Sequence, residues 1–176
     1  LKICGVTSHH DANQLVEMGV DALGVNFWPQ SKRYLAPDKA RWLSEIAGKI
    51  LRVGVFVNQN PEIPLQLVRD GYLDVVQLHG DESPEDVTVF SAAKVPFIKA
   101  IGVKTIADLQ RAADFGATAI LLDAHAPGIY GGTGETFDWE VASNFRRINP
   151  NLPILLAGGI IPENAGLAAM SVQPAA

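Results

Sequence analysis

Leu51-Arg52-Val53-Gly54-Val55-Phe56-Val57, Asn58-Gln59-Asn60, Pro61 to Asp70, and Val75-Val76-Gln77-Leu78 form the stretch on which the fold turns. The first run is almost continuously apolar, which predicts a strand buried on both faces. Asn58-Gln59-Asn60 is polar turn chemistry. Pro61–Asp70 predicts a helix with proline at its first turn, and Val75–Leu78 a second strand. Buried strands joined by a helical crossover argue for a parallel sheet covered by helices.

The same alternation extends both ways from this unit. Towards the start it gives a strand over Lys2–Cys4 and a helix over Ser8–Met18, with Thr7 or Ser8 as its cap. Ala12, Leu15, Val16 and Met18 lie on one side of that helix, and Gly19 stops it. A strand over Ala22–Phe27 follows, then a helix over Pro37–Ala47. Beyond Leu78 come a helix over Pro84–Ala93, a strand over Phe97–Ile101 and a helix over Thr105–Phe115 closed by Gly116. The last elements are a strand over Ala119–Leu122, a helix over Trp139–Arg147, a strand over Ile154–Ala157 and a helix over Pro162–Met170.

Seven βα units with a period of roughly 20–28 residues suit a (β/α)8 TIM barrel with lean loops better than a doubly wound sheet. No composition shift or low-complexity linker interrupts them, so residues 1–176 read as a single barrel domain. Seven strands leave the first and last as open parallel edges, a liability in a folded chain. An eighth βα unit is therefore expected after Ala176, with strand 8 and helix 8 missing from the given sequence.

Composition narrows the function classes. Of 176 residues, 48% are hydrophobic and 19% charged, as in ordinary globular domains. The net charge of -5, with no long basic run, argues against a nucleic-acid partner. No apolar run approaches the roughly 20 residues that span a membrane. The lone cysteine forms no internal disulfide, which fits a reducing, cytoplasmic setting.

In barrel enzymes the chemistry gathers at the C-terminal ends of the strands. Here those ends carry Cys4, Phe27 with the Arg33 loop, Asn58, Gln77 with His79, Gly102, Asp123 and Gly158-Gly159. Cys4 has two readings: a small buried hydrophobe, or a base on a glycine turn. Asp123 follows Ile120-Leu121-Leu122, and the next helix starts too far away for it to be a cap. That favours a cavity-facing acid, base or ligand-orienting group. Arg33 reads as a surface cation or as a planar fork for a carboxylate. His79 is a structural histidine or a substrate contact beside Gln77. Gly158-Gly159, before a helix N-terminus, suits a phosphate. Gly131 and Gly132 belong to a Gly-rich loop that is a lid over the substrate or a tight turn. No His or Cys spacing suggests a metal, and no cofactor is expected.

Several blocks, in order along the chain, resemble the phosphoribosylanthranilate isomerase family. They are Lys2-Ile3-Cys4-Gly5-Val6-Thr7, Val53 to Asn58, Val76-Gln77-Leu78-His79-Gly80-Asp81-Glu82 and Leu122-Asp123-Ala124. The set continues with Tyr130-Gly131-Gly132-Thr133-Gly134, Phe137-Asp138-Trp139, and Leu156 to Ile160 with Pro162-Glu163-Asn164. The resemblance implies a cofactor-free cytosolic enzyme of tryptophan biosynthesis, acting by an Amadori rearrangement on a phosphosugar. It implies that Cys4 is the general base and Asp123 the general acid. It further implies that Arg33 meets a carboxylate and that Gly158-Gly159 help to bind phosphate. Ser31-Lys32-Arg33 departs from the family's usual Ser-Pro-Arg, which loosens that loop while keeping the arginine. Alternatives are a catalytically silent phosphosugar-binding barrel and one half of a fused pathway enzyme; the oligomer is a monomer or a homodimer.

Overall fold

A computed structural model of the chain describes residues 1–124 and 137–176. The chain divides into two compact units, Leu1–Glu82 with Val89–Phe97, and Ser83–Thr88 with Ile98–Ala176.

The first unit is built on four parallel strands in chain order: β1 (Lys2–Cys4), β2 (Ala22–Asn26), β3 (Leu51–Phe56) and β4 (Val75–Leu78). Their register is fixed residue by residue. Cys4 lies beside Gly24, Gly24 beside Val53, and Val53 beside Val75; two residues on, Asn26, Val55 and Gln77 are aligned. Because side chains alternate along a strand, these two rows share one face of the sheet. The other face carries Leu23, Val25, Arg52 and Phe56 and packs under the helical layer. Phe27 and Phe56 stack there with centroids 5.1 Å apart.

Arg52 is charged on that covered face, and it is fully engaged. Its guanidinium bonds to both Asp74 carboxylate oxygens, at 2.7 and 2.9 Å, and to the carbonyls of Leu43 and Gly71. A buried cation is tolerated when its donors are met in this way.

Helix α1 (His9–Glu17) starts at Ser8, whose Oγ accepts the amide of Asp11 at 3.1 Å. Of the two expected caps, Ser8 is the one used. Met18 is not on the packed side as expected; it caps the helix end and is 76% exposed. Gly19, at φ 71°, ends the helix. The helix expected over 37–47 is instead two 3₁₀ turns, Pro37–Lys39 and Arg41–Ile46, separated by Ala40 at φ −91°, ψ 6°. That bridge conformation interrupts an α ladder. Helix α2 (Glu62–Arg69) follows the expected span and buries Leu65 and Leu67. Helix α3 (Thr88–Ala92) is shorter than expected, because residues 84–87 form turns.

In the second unit β5 (Phe97–Val103), β6 (Ala119–Ala124) and β7 (Ile154–Leu156) run parallel, with α4 (Trp139–Ile148) and α5 (Pro162–Val172) packed on them. Ile120, Leu122, Ala142, Phe145, Ile154 and Val172 are its buried core. Each such large apolar side chain contributes about 1.5–3 kcal/mol when fully buried. The helix expected over 105–115 is again two 3₁₀ segments, Ile106–Leu109 and Ala112–Phe115, the first closed by reciprocal bonds between Thr105 and Asp108. Lys99, 3% exposed, pairs with Ile120 in register, and its ammonium lies 5.7 Å from the Phe115 ring centroid. It therefore belongs to the helix-covered face. The last residues lie on β7: Ala175 donates to the Ile154 carbonyl, and Leu156 donates to the Ala176 carbonyl, both at 2.8 Å.

Candidate active site

Cys4 ends β1, and the chain turns at once. Gly5, at φ 88°, allows both its own amide and that of Val6 to bond to the Gly24 carbonyl, at 2.8 and 3.0 Å. A side chain at position 5 would also strike the arginine above it: a Cβ there would stand 2.6 Å from Arg33 Nη1. Arg33 Nη1 donates to the Cys4 carbonyl at 2.9 Å. The exposed thiol of Cys4 is not part of the core. Gly24 makes room for it, since a Cβ at that position would lie 2.9 Å from Cys4 Sγ.

The Arg33 loop is held by local turns. Ser31 Oγ accepts the Arg33 amide at 3.1 Å, and Asn26 Oδ1 accepts the Trp28 amide at 2.9 Å. Phe27, expected at the strand rim, is buried in the stack with Phe56 instead.

On β4, Gln77 is 1% exposed. Its Nε2 lies 2.9 Å from His79 Nδ1, so the pair forms one hydrogen-bonded unit. Gln77 Oε1 is buried with no hydrogen-bond partner among the described residues. Such a group is uncommon in folded proteins and calls for an explanation. The following loop is pinned by Glu82, which accepts the amides of Asn58 and Gly80 at 2.8 and 3.0 Å. Asn58, at φ 49°, accepts the Asp81 amide at 2.7 Å. Neither Asn58 nor Glu82 was singled out for this bracing role from sequence, and no local signal distinguishes it from ordinary turn chemistry.

The second unit carries the other candidates. Asp123 alternates with Leu122 and Ala124 and so occupies the face of β6 opposite the core of that unit. It is 7% exposed, and its Oδ1 accepts the Ala124 amide at 2.9 Å. Helix α4 is capped by Asp138 rather than Asp123, as expected. Gly158 and Gly159, at φ 79° and 63°, form a left-handed turn ahead of α5. Asn164 braces that turn from inside the helix, donating to the Gly159 carbonyl and accepting the Ile161 amide. Gly131 and Gly132 lie outside the described residues. Among the described residues, no three His, Cys, Asp or Glu side chains are grouped to hold a metal ion, and no helix is long and apolar enough to cross a membrane.

The family model described as N-(5'-phosphoribosyl)anthranilate isomerase matches residues 1–175. This chain belongs to the phosphoribosylanthranilate isomerase family. The N-(5'-phosphoribosyl)anthranilate isomerase of Thermotoga maritima is 42% identical over 175 residues, which cover 99% of this chain and 83% of that protein. A crystal structure of the Thermotoga maritima enzyme matches with TM-score 0.86 at 40% identity, covering 98% of this chain and 83% of the other. A family member solved in complex with reduced 1-(o-carboxyphenylamino)-1-deoxyribulose 5-phosphate matches with TM-score 0.81 at 38% identity, covering 98% and 82%. The fold class is accordingly the (β/α)8 barrel that the strand–helix alternation predicts.

Proposed function

We propose that the chain converts N-(5-phosphoribosyl)anthranilate to 1-(2-carboxyphenylamino)-1-deoxyribulose 5-phosphate, an Amadori rearrangement in tryptophan biosynthesis. The observation that carries this reading is the family match over residues 1–175, with a thiol and a carboxylate kept at two strand ends.

The roles follow from the chemistry. Asp123, as a carboxylic acid, gives its proton to the ribose ring oxygen. The ring opens, and the C1–N bond becomes an iminium. That positive centre acidifies the hydrogen on C2, and Cys4, as thiolate, removes it. The resulting enolamine takes a proton at C1 and loses one from the C2 hydroxyl, leaving the ketone. The reaction requires one group to start protonated and the other deprotonated. Arg33 supplies a planar fork for the anthranilate carboxylate. The turn at Gly158-Gly159 offers backbone amides to the phosphate. Gln77 and His79, with Gly131 and Gly132, are assigned to substrate contact.

The test is a continuous fluorescence assay of phosphoribosylanthranilate with the purified protein. Loss of substrate fluorescence accompanied by the ketose product is expected. Saturable binding of the phosphosugar with no product would overturn the enzymatic reading in favour of a silent binding barrel.

A further inference from the structure

Hydrogen bonds tie the residues after β4 to the end of β3, and they surround His79. The His79 amide donates to the Phe56 carbonyl at 2.8 Å. The Asp81 amide donates to Asn58 Oδ1 at 2.7 Å. The Glu82 carboxylate joins the two segments: Oε1 accepts the Asn58 amide at 2.8 Å, and Oε2 accepts the Gly80 amide at 3.0 Å.

The fit between the segments is close. A Cβ on Gly80 would lie 2.3 Å from Asn58 Oδ1 and 2.7 Å from the Asn58 amide nitrogen. Asn58 is itself at φ 49°, a left-handed conformation that asparagine and glycine tolerate better than most residues. One asparagine thus supplies both the turn and the acceptor. At the centre of this clasp His79 is half-buried. Its backbone is fixed by Phe56, and its Nδ1 lies 2.9 Å from Nε2 of the buried Gln77. Ordering a loop and its side chain before a ligand arrives removes a cost that is otherwise subtracted from affinity.

We propose that Asn58 and Glu82 are positioning residues for His79, clasping the loop after β4 so that the imidazole is already in place for substrate. This rests on the assignment of His79 to substrate contact; in this role neither Asn58 nor Glu82 touches substrate.

A double-mutant cycle separates positioning from a purely structural role. Asn58→Gly keeps the left-handed turn and removes the acceptor, and His79→Ala removes the contact. KM for phosphoribosylanthranilate is measured for the parent, both single variants and the double variant. Calorimetric Kd for reduced 1-(o-carboxyphenylamino)-1-deoxyribulose 5-phosphate is measured on the same four proteins, with thermal melts to show that each is folded. His79→Ala is expected to weaken both constants about tenfold, the scale of one lost hydrogen bond. Asn58→Gly is expected to weaken them about fivefold through misplacement, with kcat less affected. The double variant is expected to be no worse than His79→Ala alone. Gly80→Ala presses on the clasp from the other side without removing a polar group, and it is expected to follow Asn58→Gly. Additive losses in the double variant overturn the proposal while His79 keeps its assignment. Parental constants in both Asn58→Gly and Gly80→Ala do the same. Parental constants in His79→Ala remove His79 from substrate contact, and the proposal with it. A parent protein that neither turns over substrate nor binds the probe overturns the functional reading and this inference together.

Discussion

Gly158 stands directly against Asp123: a Cβ at position 158 would lie 2.7 Å from Asp123 Oδ1 and 2.6 Å from the Ala124 amide nitrogen. Both neighbours are fixed, since Asp123 Oδ1 already accepts that amide. Gly158→Ala must therefore shift the carboxylate as well as strain a backbone at φ 79°. With Asp123 as the proposed acid, the expected result is a kcat at least about tenfold lower, because small misplacements of a reacting group are costly. Gly48→Ala is the control. Its φ of 74° is similar, but nothing lies within 4 Å of the added carbon. It is expected to lose about 1 kcal/mol of stability and no turnover. Thermal melts and initial rates of the two variants separate backbone strain from displacement of Asp123.

Cys4→Ala and Asp123→Asn are each expected to lower turnover at least about 100-fold while the fold persists, the usual scale of a general base or acid. Circular dichroism checks the fold. Near-parental turnover in either variant removes that residue from its assigned role.

Arg33→Ala is expected to raise KM about tenfold with a smaller change in kcat, as for a charged hydrogen bond to substrate. Arg33→Lys should rescue it poorly, because an ammonium lacks the planar fork. Unchanged KM with reduced kcat would assign the arginine to the chemistry through its bond to the Cys4 carbonyl.

Gln77→Met replaces a buried amide, whose oxygen has no partner among the described residues and whose Nε2 contacts His79 Nδ1, by an apolar side chain of similar length. Removing an unmet acceptor offsets the loss of the His79 contact, so the melting temperature should stay near the parental value. If Gln77 contacts substrate, kcat/KM should fall about tenfold over the same substitution. A lower melting temperature with unaltered kcat/KM would make Gln77 a structural residue.

Asp74 gives the fold an acid-sensitive joint. Burial acts to raise its carboxyl, but the hydrogen bonds and charge of Arg52 outweigh that and hold it below the ordinary carboxylate value. The stability it adds is fully present above the unfolded-state value. It is lost as pH falls through the depressed folded-state value. Denaturant unfolding should therefore weaken steadily below about pH 4, where unfolded carboxylates titrate. Asp74→Asn should flatten that slope and cost about 2 kcal/mol at pH 7, moderated because the aspartate is a third open to solvent.

The strands were legible because a strand buried on both faces is apolar at every position, as Val75–Leu78 nearly is. Helix type was not. Residues 37–46 and 106–115 show apolar residues three and four apart, which fits α and 3₁₀ windings alike, and Ala40 settles the matter through a backbone angle. Cys4 and Asp123 were visible as polar residues terminating apolar runs. Gly24 carried a signal that was passed over: glycine inside a strand often marks a close approach. The bracing by Glu82 and Asn164 depends on which loops meet, and sequence order does not encode that meeting.

The proposed base, Cys4, is exposed, and an exposed thiol is open to peroxide as well as to a substrate. Thiolate character and access are what make a cysteine oxidisable, first to the reversible sulfenic acid and then irreversibly beyond. The sequence holds no second cysteine to trap the sulfenic form as an internal disulfide. Within residues 1–176 the sulfenic form is resolved only by a thiol from outside the chain.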